Sequence, residues 1–139
     1  MAIPSEEMEG LPEIDMQDVS DTDFLSAFVA LQDIPVSYVR MLTTHSSILN
    51  EDITASEMAR AVGYKNFNAA NLHYGKLGKR LANSLGIDID ENYCVFVLAT
   101  FEYDGHEWHW IMRPQVKQAL SQVRWVSSYR VTHMHAIRR

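Results

Sequence analysis

The chain has 139 residues, 47% hydrophobic and 22% charged, with a formal charge of −6, the composition of one ordinary soluble globular domain. No stretch approaches the ~18 apolar residues of a membrane span, the acidic opening MAIPSEEMEG lacks the basic-then-apolar pattern of a signal peptide, and the lone Cys94 excludes an internal disulfide framework. A single unpaired cysteine fits a cytoplasmic protein.

The charge is unevenly placed. Residues 1–52 hold eleven acids and one base, Arg40, whereas residues 53–139 hold seven acids and eleven bases. An acidic leader on a body that prefers polyanions produces this asymmetry. The bland alternative is a leader that only keeps the chain soluble.

In chain order, residues 1–20 combine two prolines, a glycine and many acids with little periodicity, so an acidic, disordered arm is expected there. Ser20 or Asp21 then caps a first helix, TDFLSAFVALQ, with Phe24, Leu25, Phe28 and Leu31 as its apolar stripe. A second helix, IPVSYVRMLTTHSSIL, has Pro35 in its first turn and Val36, Val39, Met41 and Leu42 as candidates for burial. Thr54 to Glu57, TASE, fits a capping box that opens a short helix closed by Gly63. A tight turn leads to the next helix, starting at Asn66 or Asn68 and running to about 85, which gives a helix-turn-helix.

On that helix Ala70, Tyr74, Leu77, Leu81 and Leu85 form one stripe. The opposite face carries Asn68, Asn71, Leu72, Gly75, Lys76, Lys79 and Asn83, with Arg80 at its edge and Gly86 closing the helix. No acid occurs between Met58 and Ile87, where a merely solvated face would mix glutamates with lysines. Downstream, NYCVFVLATFEY reads as a strand, Asp104-Gly105 as a two-residue hairpin turn, and HEWHWIM as a second strand with Trp108, Trp110 and Met112 on its buried side. Pro114 opens a last helix, PQVKQALSQV, packing through Val116, Leu120 and Val123. The same stripe can serve dimerisation. One more strand can begin in the remaining sequence, and residues 127–139 form a basic tail.

This order is that of an α+β winged helix-turn-helix domain over residues 21–126. ITASEMARAVGYKNFNAANLHYGKLGKRLANSLG, followed by VFVLATFEYDGHEWHWIMRPQVKQAL, resembles a winged-helix-like segment associated with predicted HNH-type restriction nucleases. The resemblance covers roughly residues 28–126 and implies DNA binding as an accessory, targeting or regulatory module. Its nuclease part has no counterpart here. His106 and His109 in HEWH, and His133 and His135 in HMH, come with no cysteine pair or carboxylate at a ligand spacing. The expectation is therefore a non-enzymatic protein with no metal and no cofactor.

The expected partner is double-stranded DNA. Lys65, Lys76, Lys79 and Arg80 are placed to neutralise phosphates. Asn66, Asn68, Asn71 and Asn83 offer amides, and the asparagines near the helix N-terminus lie where recognition helices approach base edges. Leu72 suits a thymine methyl or a protein partner. Gly75 implies that bulk is excluded on this face, and Gly78 implies tight packing near the stripe. Asp104 and Glu107 beside the turn make the wing a weak groove binder. The acidic arm can tune affinity by competing for the basic face. The competing expectation is a protein-interaction module, such as a small acidic phage-type inhibitor, engaging a protein partner through its acidic N-terminal region or Leu72.

Overall fold

The structure, a computed structural model, describes residues 16–124. It is α+β: five α-helices and a small antiparallel sheet. Helices α1 (Asp21–Ala30) and α2 (Val36–Ser47) precede strand β1 (Asp52–Thr54). Then come α3 (Ala55–Val62), α4 (Phe67–Leu85), a 3₁₀ segment (Glu91–Val97), β2 (Ala99–Tyr103), β3 (Trp108–Met112) and α5 (Pro114–Leu120). The strand order is β1-β3-β2, with Ile53 opposite Trp110 and Phe101 on the other side of Trp110. That order is compatible with a winged-helix-like layout.

Local chemistry sets the helix ends. Ser20 is the N-cap of α1, its hydroxyl accepting from the Asp23 amide while the Asp23 carboxylate accepts from the Ser20 amide. Thr54 and Glu57 make the same reciprocal pair at α3. Each such cap contributes about 1 kcal/mol. Gly63 (φ 89°) and Gly86 (φ 72°) end α3 and α4 in the left-handed conformation that a Cβ would disfavour.

One core holds these elements together, through Phe24 and Phe28 of α1, Met41 and Leu42 of α2, and Met58 of α3. Tyr74, Leu77 and Leu81 of α4, Trp110 of β3, and Val116 and Leu120 of α5 complete it. A satellite aromatic cluster lies beside it: Phe96 and Trp108, with Tyr93 and Phe101 against them. Val116, Leu120 and Val123 are fully buried within the chain, so the stripe of the last helix serves its own core.

Several expectations need correction. Val36 is 65% exposed, because the helix starts there and turns it outward, while Tyr38 and His45 are buried instead. The segment Glu91–Val97 is a 3₁₀ helix and not part of a strand: Asp90 Oδ1 accepts from the Asn92 amide, and residues 94–99 are buried continuously, without alternation. Its backbone backs onto α4 at Gly78. The hairpin loop is four residues, Asp104 to Glu107, because Asp104 Oδ1 accepts from both the His106 and Glu107 amides. Strand β1 has no sequence signature, since three residues carry too little pattern to read. Within the expected arm, residues 16–20 are folded against the domain: Met16 is buried, and Gln115 Nε2 donates to the Met16 and Val19 carbonyls. Residues 1–15, the basic tail and the HMH histidines lie outside the described residues.

Candidate nucleic-acid interface

Helix α4 is anchored from its inner face. Tyr74, completely buried, donates its hydroxyl to His45 Nδ1 at 2.7 Å, and His45 Nε2 donates to the Trp110 carbonyl at 2.9 Å. A carbonyl can only accept, so the imidazole is the neutral Nε2–H tautomer. Burial pushes the His45 pKa down to about 4, and the Tyr74 hydroxyl is pushed far up by its own burial. This relay ties α2, α4 and β3 together and fixes which face of α4 points outward.

A second clamp holds the hairpin. His109 on β3 donates from Nδ1 to Asp52 of β1 and from Nε2 to Asp104 of the loop, both at 2.7 Å. Only an imidazolium can donate twice, and the two carboxylates, Asp104 first, raise its pKa. Asp104 is held down to about 2 by the Glu107 amide, then by His109 and the His106 amide. Expected as a carboxylate that repels phosphate, Asp104 is thus paired with a cation on its own hairpin. Among the described residues no group of three His, Cys, Asp or Glu side chains is arranged to hold a metal ion.

The outward face of α4 is the floor of a groove of about 730 Å³. Asp33, Pro35 and Tyr38 form one wall; Glu91, Asn92, Val95 and Phe101 form the other. On the floor lie Asn68, Asn71, Leu72, Gly75, Lys76, Lys79 and Arg80, seven of the ten expected site residues. Lys65, Asn66 and Asn83 lie outside it, all exposed. The Asn66 oxygen caps α4 by accepting from the Ala69 amide at 3.1 Å.

Exposure divides the floor. Asn68, Leu72 (56% exposed) and Lys76 rise into solvent, whereas Lys79 and Arg80 are half-buried. Arg80 donates to the Gln32 carbonyl, which fixes it against the α1–α2 loop. Asn71 departs from expectation: it is only 6% exposed, because the 3₁₀ wall closes over that side of the helix. Its Nδ2 is buried without a hydrogen-bond partner among the described residues. Gly75 does not make the backbone approach its position suggested; a Cβ there would meet only Val95 Cγ2, at 4.0 Å. The close approach is at Gly78, where a Cβ would come within 2.1 Å of the Cys94 carbonyl oxygen.

The walls escaped sequence reading. The 32–35 loop carries no motif, and the 91–97 run reads as a strand from its β-branched and aromatic residues. Cys94 itself is a buried, unpaired thiol whose pKa burial raises. No helix among the described residues is long and apolar enough to cross a membrane. Comparison with protein-family models, curated proteins and solved structures gives no match.

Proposed function

We propose that this chain is a non-enzymatic DNA-binding protein of winged-helix type, which holds double-stranded DNA through the outward side chains of α4 and the turn before it. One observation carries the reading. Every solvent-reaching residue of α4 is neutral or basic, although acids outnumber bases in the described residues as a whole. Lys65 and Lys76 reach phosphates, Asn68 and Leu72 stand where a base edge would be met, and Lys79 adds field from below. Asn71 and Gly75, being recessed, do not touch the duplex.

The test is fluorescence anisotropy of a mixed-sequence duplex titrated with the whole chain at several salt concentrations. Binding should be present at ~50 mM salt and weaken as salt rises. Lys76→Glu/Lys79→Glu should cost more than about tenfold in affinity and flatten the salt slope by at least roughly one phosphate's worth. Affinity unchanged in the double variant would overturn the assignment of α4, and no binding at ~50 mM salt would turn the basic face towards a protein partner.

A further inference from the structure

The recessed floor of the groove holds chemistry that a duplex lying on the outward side chains would leave unused. Asn71 is the central case. A buried amide nitrogen without a partner costs roughly 1–3 kcal/mol; Asn71 Nδ2 is such an atom among the described residues, and its residue lines the groove. A half-turn of the amide exchanges its donor and acceptor ends, so Asn71 can answer either kind of group.

Its surroundings narrow the ligand. Phe101 forms part of the wall and packs against Phe96, at a ring separation of 4.3 Å; with Val95 and Leu72 it offers apolar contact to a planar ring. Lys76, Lys79 and Arg80 supply positive charge along one helix, while Asp33 and Glu91 stand on the two walls. Three cations against two carboxylates leave the groove an excess of positive charge that matches one phosphate inside it. Carboxylates accept from ribose hydroxyls and amino groups, and an amide matches the adjacent donors and acceptors of a base edge. The groove, about 730 Å³, is within the ~300–1,000 Å³ of small-ligand sites.

We propose that this groove binds a nucleoside monophosphate unit, its base against Phe101 and Asn71 and its phosphate towards Lys76, Lys79 and Arg80. Two sources supply that chemistry: a free mononucleotide, or one unpaired nucleotide of a bound strand. The second source rests on the duplex reading above; the first does not. Gly75 then has a role, since a side chain there would occupy the groove.

The test follows the Asn71 side-chain amide by ¹H–¹⁵N NMR in the whole chain. AMP, CMP, GMP and TMP are titrated to about 5 mM, the weak-binding range of small ligands. In parallel, anisotropy compares a blunt duplex with the same duplex carrying one unpaired nucleotide. The amide signals should move with at least one mononucleotide, or the bulged duplex should bind about fivefold tighter or better, as an added base contact would give. A shift without duplex preference identifies the free source; preference for the bulge identifies the strand. Gly75→Leu, which keeps a good helix former on α4, should abolish whichever response is seen. Signals that stay still with all four nucleotides, together with equal duplex affinities, overturn the site while leaving salt-dependent duplex binding intact. A response that survives Gly75→Leu also overturns it. A shift with mononucleotides in a chain that binds no duplex sinks the duplex reading alone.

Discussion

Gly75 and Gly78 sit three residues apart on α4, yet the helix uses them for opposite ends. At Gly78 the helix backbone meets the 3₁₀ backbone so closely that a single methyl has nowhere to go. At Gly75 the neighbouring wall stands off at van der Waals distance and the groove opens. One face of α4 is therefore fixed by contact and the other kept clear, and the same residue type serves both. A missing side chain in a helix reports on space only once the packing partner is known.

Gly78→Ala tests this most strongly. The added carbon would lie 2.1 Å from the Cys94 oxygen and 2.7 Å from its carbonyl carbon, both backbone atoms that move only if the 3₁₀ segment moves. The expected cost is about 3 kcal/mol, a fall in Tm of roughly 10 °C, read by thermal unfolding. A variant as stable as the parent would mean that this backbone contact is not made.

The inner face has a second signature, in pH. His45 has an unfolded pKa near 6.5 and a folded one of about 4, so the unfolded chain binds its proton more readily. Its contribution to stability is full above pH 6.5 and is lost as pH falls from there through about 4, a loss of roughly 3 kcal/mol. His109 works in the opposite sense: with its folded pKa raised, its contribution is full below 6.5 and fades as pH rises through the folded value. Asp104, at about 2, titrates below the window. Urea unfolding between pH 7 and pH 4 should therefore show a loss that His45→Gln largely removes. A loss of the same size in that variant would place the acid sensitivity elsewhere.

How far the sequence could be read follows the same division. The inner stripe Ala70, Tyr74, Leu77 and Leu81, the Thr54–Glu57 cap and the stops at Gly63 and Gly86 were all legible, because each depends on spacing within one element. The hairpin strand with Trp108, Trp110 and Met112 inward was legible for the same reason. The 3₁₀ segment was not: its β-branched and aromatic residues fit a strand, and only its burial against Gly78 overrides that preference. Seven of the α4 residues that the spacing places on one face line one groove, Asn71 buried among them, but their being a groove floor depends on Asp33, Tyr38, Glu91 and Phe101. These come from segments that no local pattern joins to α4. The burial of Asn71 and the His45–Tyr74 relay are likewise products of tertiary contact alone.

Gly75→Ala closes the comparison with the smallest effect. Alanine is favoured over glycine within a helix by about 1 kcal/mol, and part of that gain comes from the reduced freedom of the unfolded chain. The new methyl would meet only Val95 Cγ2 at 4.0 Å, an ordinary contact, so nothing offsets the gain. The variant should be more stable by about 0.5–1 kcal/mol in urea unfolding, the reverse of its neighbour three residues on. Destabilisation would mean that the walls close on the helix in solution and that the groove is not open. A gain would leave its local stability unoptimised, as expected where an open face is needed for binding.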